Sequence, residues 1–564
     1  MRARLEKQIK DKRAAKAMTI DTFHAICLQL LSSKSGQGNL TVIDDTDALS
    51  IIGDILKELH LKSAPRDVQR GISLMKNGAH PDDQVAAALQ RVYELYCERL
   101  QHFGVLDYDD ILVKALELFE KGENLPPSFD HILVDEFQDI NDIQYRLIKA
   151  FSQNSVDVFV IGDPDQSIYG FRGADSRCFD RLFEEFPAVR LVRLTRNYRS
   201  TPEILSCAEA ALSQEAPNAL RLEAARGNGA PVRRYDTEDE FSQAQFIARE
   251  IKSMVGGIDM LEAHGLPAAD GKRQAGGKGR GFSDIALLYR TNRQSQALER
   301  CLSAEGIPFR VAGREDFLAE HDVRRAVAFF RFLNNPGDLV SLRVCLQEAG
   351  MKPMEAVRQV LEEYDAGGKN VSALAGRLEK AGANSGGVEK WLDLAIKYAP
   401  LTLKGNPAEL MEAWASDNDL MGSRGMELLV SSAVMHDSMA SFLANLTFGQ
   451  EGDLNRSGGR RYVPDAVSLM TLHGSKGLEF PVVFLCGVTE DLIPLKNRDG
   501  SCNLNEERRL FYVGMTRAQD ELILLTSKEP SPFLLSLPSD LLATGHAFER
   551  RQAPAFEQFS FFDA

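Results

Sequence analysis

No two cysteines in the chain are spaced Cys-x-x-Cys. The eight lie scattered as Cys27, Cys97, Cys178, Cys207, Cys301, Cys345, Cys486 and Cys502. A disulfide framework or a zinc site is therefore not expected, and a reducing cytoplasm fits best. Long apolar runs are lacking too. Stretches such as Ile132–Val134 and Val482–Cys486 fall far short of the ~20 residues that cross a bilayer. The opening Met1-Arg2-Ala3-Arg4-Leu5-Glu6-Lys7 carries charge with no apolar core behind it, so it does not read as a secretory signal. Positive charge is in deficit: 66 Lys and Arg face 81 Asp and Glu, for a net charge of -15. That excludes histone-like coating of nucleic acid but leaves room for a locally basic groove. No repeat of 20–50 residues is visible. What remains is ordinary for a large α/β protein: 564 residues, 44% hydrophobic and 26% charged, or about four structural units.

The first hundred residues carry helical periodicity. Leu49, Ile52, Ile55, Leu56 and Leu59 share one face, as do Ala87, Leu89, Val92, Leu95 and Tyr96. Asp107-Tyr108-Asp109-Asp110 caps a further helix, with Ile111, Leu112, Ala115, Leu116 and Phe119 as its inner face. At His131–Val134 the pattern becomes a short apolar run ending in acids, the signature of a buried parallel strand. Val156–Ile161 is a second such run, so the two suggest a βαβ unit. Leu191–Leu194, Asp284–Tyr289, Val467–Met470 and Val482–Cys486 read as further strands, and Glu506–Met515 as a helix. His264–Phe282 reads as a flexible loop, and Asn335–Arg460 as helices with breaks at Gly367-Gly368 and Gly386-Gly387. After about Leu542 the chain becomes loop-like.

Chemistry concentrates in a few blocks. In Leu133-Val134-Asp135-Glu136-Phe137-Gln138-Asp139, acids follow a strand, where α/β sheets bind ligands. Asp135 could hold a magnesium ion there and Glu136 could orient or deprotonate a water. An acidic helix start is the competing reading. Val160–Ala174 joins a polar strand end (Gly162, Asp163, Gln166) to Tyr169, Phe171 and Arg172, a row suited to stacking single-stranded bases. Leu194–Ser200 sets Tyr198 beside Arg199, and Thr471–Phe480 is a polar strand-to-loop segment. Glu506–Ala518 ends a helix in Arg517, placed as an arginine finger would be.

In this order and spacing the blocks resemble the UvrD/Rep superfamily 1 DNA helicases, over nearly the whole chain. Thr19–Cys27 is similar to that family's early DNA-contacting motif, and Ile307–Val311 with Asn335-Pro336 to the entry of its second helical insertion. A string such as Asp-Glu-Phe-Gln-Asp arises by chance only about 2×10⁻⁴ times in such a length, at about 5% usage per residue. The resemblance implies an α/β protein of two RecA-like, P-loop-type motor domains, each with a helical insertion. It places the first motor domain at 1–35 and 122–195 and its insertion at 36–121. The second lies at 196–334 and 461–545 with its insertion at 335–460, and 546–564 is a tail. ATP, bound between the domains with Mg2+, would drive 3′-to-5′ movement on single-stranded DNA. Asp135 and Glu136 become the metal-holding and water-activating pair. Gln166, Arg199 and Arg517 touch the γ-phosphate, Tyr198 stacks on adenine and Glu479 meets the ribose. Thr22, Phe23, His24, Tyr169, Phe171, Arg172, Thr471 and His473 line the single strand. Many relatives carry tryptophan where this chain has Phe171, which implies weaker stacking there.

One departure stands out. The family opens with a strand, Gly-x-x-x-x-Gly-Lys-Thr and a helix, and no such string occurs here. Gly276-Gly277-Lys278-Gly279 lacks the hydroxyl residue and lies in the expected loop. The resemblance thus implies a chain that begins inside the first motor domain, through a late start, a cut from a longer polypeptide or a true truncation. The second insertion is also short for the family.

Two readings follow: an ATP-dependent helicase of DNA repair or recombination, acting on single strands and single/double-strand junctions, or a non-enzymatic single-strand-binding or scaffolding protein. A helicase–nuclease is disfavoured, because no carboxylate-rich block follows Arg517. The ending Gln558-Phe559-Ser560-Phe561-Phe562 is similar to the peptide by which bacterial repair proteins dock on the replication sliding clamp. A bacterial cytoplasm, near the nucleoid and with no membrane contact, is the expected location.

Overall fold

The computed structural model describes residues 5, 7–9, 11–35, 40–78, 83–122, 129–152, 157–170, 173–175, 177–186, 188–212, 221–256, 280–312, 317–351, 354–366, 374, 386–448, 465–496, 500–527 and 529–546. By contacts the chain divides into two compact units. One comprises residues 1–162, 171–178 and 316–458; the other comprises 163–170, 179–315 and 459–564. Residues 316–458 interrupt the second unit in sequence, yet their packing lies with the first.

In the first unit the expected helices form at Asp45–Glu58, Asp83–Phe103 and Tyr108–Glu120. Asp44 accepts from two backbone amides of the first, and Asp107 with Asp110 makes a capping box on the third, satisfying donors that a helix start leaves open. The apolar faces of the first two meet around Ile51, Ile52, Ile55, Val92 and Tyr96, while Ile111, Leu112, Ala115 and Leu116 of the third pack with Cys27, Ile143 and Leu147. Among the described residues, six helices lie between Leu339 and Phe448, within the expected helical insertion. With helix His321–Asn334 they enclose an aromatic core of Phe329, Phe330, Phe332, Trp391, Tyr398 and Trp414. Gly386 and Gly387 open the helix Gly386–Thr402 rather than break one. A Cβ on Gly387 would lie 2.4 Å from the Ala349 carbonyl oxygen, so close packing demands glycine there. Gly367 and Gly368 lie outside the described residues.

Two strands, β1 (His131–Val134) and β2 (Asp157–Val160), pair in parallel with Leu133 opposite Phe159. They were expected to be buried, and on one face they are not: Leu133 is 68% exposed, Phe159 56% and Ile161 46%. The reason is the size of the sheet. Among the described residues it has only these two strands, so side chains on that face meet water while Val134 on the other is covered.

The second unit is built on a seven-stranded parallel sheet. Its strands are β3 (Val232–Thr237), β4 (Ile285–Tyr289), β5 (Phe309–Val311), β6 (Val467–Thr471), β7 (Phe480–Leu485), β8 (Ala518–Ser527) and β9 (Leu542–His546). They run in the order β9-β3-β8-β7-β4-β6-β5. The side-chain period of two sorts their residues into separate cores. Leu288, Met470, Val483, Leu485 and Leu524 face one. Leu287, Leu469, Val482, Phe484 and Ile523 face the other. Both faces are covered, as a central parallel sheet requires.

Two expectations change in this unit. The segment after Leu542 was expected to be loop, but Leu542–His546 adds an edge strand beside β3; backbone pairing recruits residues with no strong strand pattern of their own. Leu191–Leu194 was expected to be a strand, but it pairs with nothing among the described residues, and Leu194 is 78% exposed. A short Leu-Val-Arg-Leu run needs a ladder partner to become a strand. The expected loop at His264–Phe282 lies largely outside the described residues, as does everything after His546. No helix among the described residues is long and apolar enough to cross a membrane.

Candidate functional site

Two groups of candidate residues lie in different units, and each is built by its own strands. In the first unit, β1 delivers Asp135 and Glu136 to its carboxyl end, both exposed. Glu136 adopts a left-handed backbone, with φ 54° and ψ 40°. That conformation costs a non-glycine residue ~1–3 kcal/mol and persists only where the surroundings impose it. Here the next amide, of Phe137, donates to the Ile161 carbonyl (2.9 Å), and the Phe137 ring is fully buried. Asp139 N–H donates back to the Glu136 carbonyl (3.0 Å). The carboxylate accepts from Gln138 Nε2 at 2.5 Å, and Gln138 is itself only 2% exposed. The candidate general base is thus strained in its backbone and held at its tip.

The early motif behaves unevenly. Thr22 is exposed and accepts from Ala25 N–H (3.3 Å), starting the helix Phe23–Ser35. Phe23 packs partly against the cluster of Cys27, Ile111 and Leu112. His24 was expected to contact DNA, but it is buried and stacks on Tyr108, with ring centroids 3.7 Å apart. Burial pulls its pKa down to about 3, so it presents no positive charge to a phosphate. Phe171 and Arg172 lie outside the described residues, as do Gln558, Phe559, Ser560, Phe561 and Phe562.

The second unit gathers the remaining candidates around Gln166. Its Nε2 donates to Asp163 (2.7 Å) and its Oε1 accepts from Arg517 Nη2 (3.3 Å). Arg517 is 1% exposed. It also donates to the Val513 carbonyl (2.9 Å), the Leu478 carbonyl (3.2 Å) and Thr516 Oγ1 (3.1 Å). Strands β7 and β8 and the helix Leu504–Met515 bring these acceptors together. Arg199 is held more loosely: Nε donates to Glu479 Oε2 at 2.7 Å, and both side chains are partly exposed. Such a partly exposed pair contributes little stability. Tyr198 is 71% exposed, and the Arg196 guanidinium lies 5.3 Å from its ring. Burial, and then the Asp163 carboxylate, raise the Asp165 pKa above its usual range, against the pull of Arg509.

Of the residues expected to contact the single strand, Tyr169 and His473 lie close, with ring centroids 6.2 Å apart. Thr471 Oγ1 accepts from Gly474 N–H (3.1 Å) and shapes the turn that carries His473. Sequence reasoning assigned no role to Lys476. Its Nζ donates to the Gln166 carbonyl at 2.6 Å and lies 5.1 Å from the centre of the Tyr169 ring. Gln138 was missed in the same way. Neither carries a local signal, because each acts through a contact that only folding creates.

Residues 1–187 match the UvrD/REP helicase N-terminal domain, and residues 192–377 and 427–529 match the UvrD-like helicase C-terminal domain. The chain belongs to the UvrD-like helicase family. Within that family the helicase is similar to the ATP-dependent DNA helicase PcrA of Staphylococcus epidermidis, with 28% identity over 615 residues, 98% of this chain and 80% of the relative. It is equally similar to the PcrA of Staphylococcus aureus, at 28% over 617 residues, with the same coverage. A solved C-terminal domain of a possible DNA helicase from Lactobacillus plantarum matches with 11% identity and a TM-score of 0.24, covering 62% of this chain and 98% of that one. At that score the likeness says nothing about fold. The helicase is thus an α/β protein of RecA-like motor domains, and the seven-stranded parallel sheet is the core of the second.

Proposed function

We propose that the chain is an ATP-driven translocase that moves 3′ to 5′ along single-stranded DNA and separates strands during DNA repair or recombination. The observation that carries this reading is the Arg517–Gln166 contact. That contact sets the end of the helix Leu504–Met515 against the turn Pro164–Gln166, and a guanidinium held beside a glutamine there suits an incoming phosphate. Gln166, Arg199 and Arg517 meet the γ-phosphate, and Glu136 orients or deprotonates the attacking water. The open ring of Tyr198 stacks on adenine, and Glu479 leaves Arg199 for the ribose.

Asp135 would hold the magnesium ion. No cluster of three metal-ligating side chains occurs among the described residues. A lone carboxylate at a strand end suits a cation that keeps its waters and takes phosphate oxygens. When bound, magnesium neutralises charge on the transferred phosphoryl group. Thr22, Phe23, Tyr169, Thr471 and His473 line the single strand, together with Phe171 and Arg172; His24 is left out because it is buried.

Hydrolysis also needs a phosphate loop, which these 564 residues do not spell. The open face of Leu133, Phe159 and Ile161 is one on which a further βα layer would pack, since parallel sheets are ordinarily covered on both faces. Single/double-strand junctions are the proposed substrates and the bacterial nucleoid the proposed location. The tail Gln558–Phe562 is proposed to dock on the sliding clamp with about micromolar affinity, a value usual for a peptide that orders on binding. The tail peptide should bind purified clamp saturably, and Gln558→Ala or Phe562→Ala should abolish that binding.

The test of the main reading is DNA-stimulated ATP hydrolysis. The chain as given should stay near background, whereas fusion to a phosphate-loop βα segment from a relative should restore turnover that Glu136→Gln removes. A fusion that binds single strands yet hydrolyses nothing would favour the non-enzymatic binding or scaffolding reading, which the lack of a phosphate-loop string supports.

A further inference from the structure

We infer that Lys476 is a positioning residue for single-strand binding, acting through the ring of Tyr169. The inference rests on the proposed single-strand reading and assigns a role to a side chain that touches no proposed ligand.

Lys476 is 8% exposed, an unusual place for an ammonium group, which loses hydration when buried. Contacts with Gln166 and Tyr169 help to offset that loss. Its Nζ donates to the Gln166 carbonyl at 2.6 Å and lies 5.1 Å from the Tyr169 ring centre, within cation–π range. Tyr169 is three positions beyond Gln166 in the turn that leaves Pro164–Gln166. One ammonium therefore fixes both ends of that short segment, its carbonyl and its ring. On its other side the ring approaches the turn His473–Ser475, with Tyr169 Oη 3.5 Å from the His473 carbonyl. Lys476 follows that turn directly. The lysine thus ties two segments, each carrying a proposed base-contacting ring, and it grips Tyr169 by the face rather than the edge.

A ring held over one face by Lys476 and met at its hydroxyl by the His473 carbonyl has its plane set and its rotation restricted before binding. Without the ammonium, Tyr169 keeps its place in the chain but loses its fixed plane. The loss should then appear in contacts to bases and not in contacts to phosphates.

The experiment is a double-mutant cycle on the full chain, read by fluorescence anisotropy with an oligothymidylate of about 16 nucleotides and an abasic strand of the same length. Lys476→Met should weaken oligothymidylate binding about tenfold, within the range of one lost base stack, and leave abasic binding within about twofold. Tyr169→Ala should do the same, and the double variant should be no weaker than Tyr169→Ala alone. Lys476→Arg, which keeps charge and cation–π capacity, should bind within about twofold of the unaltered chain.

Additive losses in the double variant, or a Lys476→Met loss that extends to the abasic strand with a shallower salt dependence, would mean that the lysine meets phosphate itself. Either result overturns the inference. If Lys476→Met does not fold, Lys476→Arg decides: a tenfold loss there, with a normal melting temperature, overturns it equally. An unaltered chain that binds neither strand overturns the single-strand reading along with it. Binding to both strands combined with an additive cycle removes only the role of Lys476.

Discussion

Arg517 and Gln166 stand 351 positions apart in the chain, and one hydrogen bond of 3.3 Å joins their side chains. Folding thus puts the end of a helix against a turn from the far side of the sequence. The guanidinium is buried, and the oxygens of Gln166, Val513, Leu478 and Thr516 are among its partners there.

In a form supplied with a phosphate loop, Arg517→Ala should therefore cut ATP turnover by ~10³-fold or more and leave single-strand affinity nearly unchanged. The scale is that of an arginine finger on a transferring phosphoryl group. Steady-state hydrolysis with saturating DNA measures it. A loss below tenfold would reduce Arg517 to a cation closing a helix.

Glu136 should be a site where function opposes stability. Its φ of 54° suits glycine and strains any residue with a Cβ. Glu136→Gly should be more stable than Glu136→Ala by about 1 kcal/mol, after allowing for the greater freedom of glycine in the unfolded chain. Urea midpoints at equal slope give the comparison. Equal stabilities would show that the turn relaxes around alanine.

Stability should fall on mild acidification through His24. Its folded pKa is about 3, depressed from 6.5 by burial, so below pH 6.5 the unfolded chain takes up a proton that the folded chain refuses. The contribution is intact above pH 6.5 and is lost as pH falls toward 3, at up to about 1.4 kcal/mol per pH unit. His24→Phe keeps a ring against Tyr108 and should flatten this part of the profile. Parallel profiles for the two proteins between pH 7.5 and pH 5 would show that His24 protonates freely in the folded state.

Lys76 should be among the most sensitive positions in the first helical region. Its Nζ lies 2.7 Å from Asp107 and 2.6 Å from Asp110, and its side chain is 1% exposed. Lys76→Met leaves two partly buried carboxylates facing an apolar group and should cost ~3–5 kcal/mol. Adding Asp110→Asn should recover part of that loss, because it removes one unpaired charge. Thermal melts of the single and double variants test both statements, and an unaffected single variant would contradict them.

Much of the protein was legible from residue order alone. The motif blocks, the covered strands Ile285–Tyr289 and Phe480–Leu485 and the capped helix after Asp107 all carry local signals: turn chemistry, runs of apolar side chains and the preferences of caps. Such signals survive because they depend on neighbours within a few positions. Other features arose only when distant segments met. Leu133 and Phe159 have the pattern of buried strands, but burial depends on what covers a sheet, and here one face is open to water. Leu191–Leu194 has strand composition and found no ladder, whereas Leu542–His546 had no such signal and found one beside Val232–Thr237. His24 lies in a motif that promised a DNA contact, and packing placed it beneath Tyr108. The left-handed turn at Glu136, the grip of Gln138 on its carboxylate and the contact of Lys476 with Tyr169 leave no trace in composition or periodicity. Residue order determined which chemistry the chain carries. Tertiary structure decided which of those groups are held, strained, covered or exposed, because most of these outcomes depend on contacts between segments far apart in the sequence, and even the Gln138–Glu136 contact forms only in the turn that the Phe137–Ile161 hydrogen bond holds.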